Sequence, residues 1–104
     1  MIALLLAAGL AVPTAESIEM KICYAIERQA EKIMSLRQRG LSLAEFMSEI
    51  DRSKNKKLGR IKPMVIAAYS VPRYETAGMI AKAIDDFKDE QFLACIKSMG
   101  NKPL

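Results

Sequence analysis

The sequence predicts an all-α fold: a compact array of four helices, two long and two short, closed by one disulfide between the first and last helices. Three observations predict it. Apolar residues recur every three or four positions along two long proline-free stretches, as they do in helices with one buried face. No stretch alternates apolar and polar residues in the manner of a half-buried strand. The two cysteines, Cys23 and Cys95, fall on the apolar sides of the two long helices.

The first helix is capped by Ser17 or Glu16 and continues to Arg39, with Ile18, Ile22, Cys23, Ile26, Ala30, Ile33 and Met34 keeping the helical period. Gly40 ends it as a C-terminal cap. Ser42-Leu43-Ala44-Glu45 fits a capping box for a short helix to about Asp51 that buries Leu43, Phe46, Met47 and Ile50. From Arg52 to Lys62 the run RSKNKKLGRIK carries six bases and no acid, with Asn55 and Gly59 as turn formers, and reads as an exposed loop. Pro63 suits the first turn of a third, short helix, MVIAAYS, whose unbroken apolarity implies burial on most sides. Val71-Pro72-Arg73-Tyr74 breaks it. Thr76 caps the last helix, about six turns to Met99 with Ile80, Ala83, Ile84, Phe87, Cys95, Ile96 and Met99 toward the core.

At 104 residues, 51% apolar and 27% charged, the chain has the size and composition of one folded domain. Residues 1–15, MIALLLAAGLAVPTA, hold no charge and close on Pro13 and Ala15, which reads as a signal peptide ahead of a single helical domain over 16–104. No Lys or Arg precedes Lys21, so the usual cationic start is missing. As a membrane span the run is short: at 1.5 Å per residue it covers about 22 Å against roughly 30 Å of hydrocarbon. In an exported chain the two cysteines pair, since the compartment is oxidising; in a reducing one they would be buried thiols.

The absence of histidine removes the commonest general base, most transition-metal sites and every Ser-His or Cys-His nucleophile. Asp85, Asp86, Asp89 and Glu90 remain, in pairs four apart, but Lys82 and Lys88 interleave with them and no glycine-bearing calcium loop accompanies them. They read as a solvated face; no catalytic residue, metal or cofactor is expected. The bases Arg52, Lys54, Lys56, Lys57, Arg60 and Lys62 would attract anionic lipid, cell-wall polymer or nucleic acid, but a solvated loop is the plainer explanation. Nucleic acid is disfavoured, because no aromatic residue interleaves with these bases for stacking. Tyr69, Pro72, Arg73 and Tyr74 form an aromatic and cationic corner between two helices. Such residues recur at binding hot spots, yet they serve equally as a structural corner with an arginine on a ring and a tyrosine hydroxyl tied to backbone. The methionines, among them Met20, Met34, Met47, Met64, Met79 and Met99, read as core fillers.

The chain resembles a loosely defined group of small exported two-cysteine helical proteins of bacteria and their phages or prophages. The pattern is Cys23, a helix with Arg37-Gln38-x-Gly40 and Leu43, then Met64-Val65-x-x-Ala68-Tyr69-x-x-Pro72-Arg73-Tyr74, and last Asp86-Phe87-x(7)-Cys95. The resemblance implies an exported helical domain with paired cysteines and carries no activity with it. The expected function is a non-catalytic exported interaction protein, phage or prophage encoded, that binds an envelope or secreted protein as an inhibitor or immunity factor. The alternative is an anionic-polymer or membrane-surface module acting through the basic segment 52–62. A small hydrolase using Asp86 and Glu90 ranks last.

Overall fold

A computed structural model of the chain describes residues 17–100; the leader 1–15 and the tail after Gly100 lie outside the described residues. Five helices follow in order: α1 Ile18–Arg39, α2 Leu43–Ser53, α3 Lys56–Gly59, α4 Lys62–Tyr69 and α5 Ala77–Gly100. No strand occurs among the described residues. The expected class is therefore right, and among the described residues the count of four is corrected to five.

Local chemistry accounts for the boundaries. Ser17 accepts the Met20 N–H at 3.1 Å and starts α1. Gly40 ends it with φ +103°, while the N–H groups of Gly40 and Leu41 return to the carbonyls of Arg37 and Leu36. Ser42 accepts the Glu45 N–H at 3.0 Å and donates its hydroxyl to the Glu45 carboxylate, a variant of the expected capping box. Thr76 Oγ1 accepts the Met79 N–H at 3.2 Å and opens α5.

The extra helix lies where a loop was expected. After Ser53, Lys54 adopts φ +58° and Asn55 then accepts the Lys57 N–H at 2.9 Å, which nucleates the single turn α3. Leu58 and Ile61 pack against the core and hold that turn down, so the charges of this segment sit on a short ordered element.

The core is built from Ala30, Ile33 and Met34 of α1, Phe46 and Ile50 of α2, Val65 and Ala68 of α4, and Ala83 and Phe87 of α5. Helix α5 packs along α1, α4 packs on α1, and α2 rests on α4. Several expected core positions stay outside: Ile18 is 74% exposed, Ile66 56%, and Leu43 and Ile96 also face solvent, because no described element covers those sides of their helices.

The α1–α5 pair runs antiparallel and is fixed near both ends. At one end Cys23 and Cys95 form the expected disulfide, with S–S 2.07 Å and Cα atoms 5.6 Å apart, and both residues are buried. Beside it the Tyr24 and Phe92 rings stack with centroids 5.4 Å apart. A cross-link spanning 72 residues removes chain entropy worth about 4 kcal/mol in the loop-closure account. At the other end the connection into α5 is held by a polar clasp rather than a covalent one.

Candidate functional site

That clasp is the corner of Tyr69, Pro72, Arg73 and Tyr74, and its centre is a residue to which the sequence reading gave no role of its own. Gln38 is only 4% exposed, the one buried polar side chain among the described residues. Its amide N–H donates to the Pro72 carbonyl at 2.8 Å and its Oε1 accepts the Tyr74 N–H at 2.8 Å, so one carboxamide ties down both sides of Arg73. Arg73 in turn donates from Nε to the Gln38 carbonyl at 3.1 Å and from a terminal nitrogen to that of Arg39 at 3.4 Å. A cation set against the last carbonyls of α1 complements the negative end of the helix dipole. The guanidinium lies so close to Gly40 that a Cβ there would meet it at 2.9 Å.

Arg37 faces the other way. Its Nε donates to the Val71 carbonyl at 3.1 Å, and its guanidinium lies 5.0 Å from the centre of the Tyr69 ring. Tyr69 donates its hydroxyl to the Leu41 carbonyl at 2.6 Å and meets Phe46 edge-on. Burial pushes the Tyr69 phenol above its ordinary pKa; Arg37 pulls it down and Glu45 adds a smaller upward push. The corner thus contains an arginine on a ring and a tyrosine hydroxyl tied to backbone, but the arginine on the ring is Arg37 and not Arg73. A signal for Gln38 was present: it follows Ala30 and Met34 at intervals of four on the buried stripe of α1.

The basic segment divides in two. Arg52 pairs with Glu49, and Lys62 reaches Asp51 at 2.8 Å. Lys54, Lys56, Lys57 and Arg60 are exposed and meet no carboxylate at ion-pair distance among the described residues. Two of them border an apolar groove between α1 and the α3–α4 segment, about 480 Å³ in volume, with Ile22, Ala25, Ile26, Ile61 and Met64 as its walls and Lys57 and Arg60 at its rim. A neighbouring hollow shares Ala25 and Gln29 with that groove and adds Arg28 and Lys32. Lys21, Arg28 and Lys32 lie on one stripe of α1 and are exposed and likewise without a carboxylate partner among the described residues, so positive charge flanks the groove from α1 as well. This flank was not legible as a unit in the sequence, because nothing local brings α1 to α3.

The acids of α5 lie on its exposed side, and two of them border one hollow. Asp85, Asp86, Asp89 and Glu90 are all exposed. Lys82 binds Asp86 at 2.7 Å, and that hydrogen bond and charge hold the lysine above its ordinary pKa. Asp86 and Glu90 border a hollow of about 190 Å³ with Tyr74, but Arg73 does not reach it. No cluster of three or more metal-ligating side chains occurs among the described residues. No described helix is long and apolar enough to cross a membrane. Compared with protein-family models, curated proteins and solved structures, the chain shows no significant match.

Proposed function

We propose that the chain is a non-catalytic, exported helical interaction domain that recognises an acidic surface on an envelope or secreted protein. One observation carries this function: the polar chemistry of the Arg73 corner is engaged inside the fold, while Lys54, Lys56, Lys57 and Arg60, together with Lys21, Arg28 and Lys32 of α1, stand outside without counter-charges among the described residues. Uncompensated charge on an ordered face draws an oppositely charged partner and sets its orientation. Export is supported by the apolar, uncharged run 1–15 and by the disulfide, which persists outside reducing compartments. The resemblance to small exported proteins of bacteria and their phages makes an inhibitor or immunity factor the narrower form of the proposal.

A second function, attachment to anionic polymer or a membrane surface, is favoured by Lys54 and Lys56, which lie outside the residues that line the groove. The two are separated by incubating the oxidised protein with envelope extract and, in parallel, with anionic lipid vesicles. A protein partner predicts one stoichiometric complex that survives gel filtration. A polymer or lipid surface predicts vesicle binding that falls steeply with salt and no such complex. Neither complex nor vesicle binding would defeat both.

A further inference from the structure

We infer that the groove between α1 and α3–α4 binds a single-chain anionic amphiphile, an acyl chain ending in a carboxylate or phosphate. The groove has the volume of a small-ligand site rather than of a protein interface, about 480 Å³. Its walls are apolar: Ile22, Ala25 and Ile26 along one side, Ile61 and Met64 along the other, with Gln29 the only neutral polar side chain that lines it among the described residues. Ile22 is still 45% exposed, so the described residues leave this apolar surface open to a ligand.

Charge selects the class of ligand. Among the described residues the only ionisable groups lining the groove are Lys57 and Arg60, and neither meets a carboxylate there. They sit three apart, on and just after the α3 turn, which Asn55 caps and Leu58 and Ile61 anchor, so their backbone is held relative to the groove. An apolar trough with two cationic side chains on an anchored backbone matches a molecule with an apolar tail and a compact anionic head. A cationic amphiphile would meet repulsion at the rim, and a free anion would leave the walls unused. The inference stands apart from the protein partner proposed above, because it concerns a small ligand and is tested without any extract.

The experiment is an amide-shift titration of the purified, oxidised, isotope-labelled protein by two-dimensional NMR. The probes are sodium dodecanoate, dodecyl phosphate, dodecyltrimethylammonium and inorganic phosphate, with the amphiphiles kept below micelle formation. Dodecanoate and dodecyl phosphate should both give saturable shifts centred on Ile22, Ile26, Lys57, Ile61 and Met64, with the ammonium at least about tenfold weaker. Preference for one head over the other assigns the natural source as a carboxylate or a phosphate. Shortening the alkyl carboxylate should weaken binding by up to about fourfold for each methylene removed from the groove. The double variant Lys57→Ser/Arg60→Ser, at two exposed positions, should lose about tenfold for the anions and little for the ammonium. Equal binding of anionic and cationic amphiphiles, or no effect of the double variant, would overturn the inference. So would shifts that inorganic phosphate alone reproduces.

Discussion

Gln38 Oε1 accepts the Tyr74 backbone N–H at 2.8 Å, a bond between residues 36 apart in sequence that fixes where the chain enters α5. The same carboxamide holds the Pro72 carbonyl. Replacing it with an apolar isostere leaves a carbonyl and an N–H without partners in a part-buried corner. Gln38→Leu should therefore lower stability by about 2–3 kcal/mol, read from the urea midpoint at unchanged slope. A loss below about 0.5 kcal/mol would show that water satisfies those groups equally well.

Gly40 tests the neighbouring contact. Its φ of +103° disfavours any side chain, and the Arg73 guanidinium occupies the space a Cβ would need. Gly40→Ala should cost about 1–2 kcal/mol from backbone strain alone, with more from displacing Arg73. In a double-mutant cycle with Arg73→Ala the second contribution should vanish and the first persist.

The disulfide holds the opposite end of the α1–α5 pair. Cys23→Ser/Cys95→Ser should lose about 2–5 kcal/mol while the far-ultraviolet helical signal survives at low temperature. Thermal unfolding followed by circular dichroism reads both. An unchanged midpoint would mean that packing of α1 on α5 suffices without the cross-link.

Tyr69 gives a pH dependence of definite sign. Its folded pKa is raised above the ordinary value of about 10, chiefly by burial, so the folded state keeps a proton that the unfolded chain releases. The stabilisation is fully present below the unfolded pKa and is lost as pH rises from there through the folded pKa. Lys82, also raised, falls away in the same alkaline range, so the readout is a difference between proteins. Tyr69→Phe should cost about 1 kcal/mol at neutral pH through the lost bond to the Leu41 carbonyl, and its stability should decline less steeply than the parent's above pH of about 10. Parallel curves for the two proteins would remove Tyr69 as the cause.

Local signals made the helices legible. Ser17, Gly40, Ser42 and Thr76 each satisfy or terminate a backbone ladder within a few residues, so their roles could be read from the residues alone. The cysteine pair was legible too, because both residues lie on apolar stripes of long helices. The α3 turn was hidden by composition: six bases suggest a loop, but Asn55 as a cap and Leu58 and Ile61 as anchors outweigh them. The spacing of Gln38 after Ala30 and Met34 marked it as buried, but its partners were not legible, because they are backbone groups 34 and 36 residues away. The groove and its basic flank depend on how α1 meets α3 and α4, which no local pattern encodes.

The central claim is that binding resides in the unpaired positive charge and not in the Arg73 corner. It is tested most directly by comparing the parent with Lys54→Ser/Lys56→Ser/Lys57→Ser/Arg60→Ser in partner capture and in thermal unfolding, side by side. All four positions are exposed and without ion-pair partners among the described residues, so the melting curve should be essentially unchanged while capture of the anionic partner is lost. Capture that persists at full strength in this variant would contradict the claim.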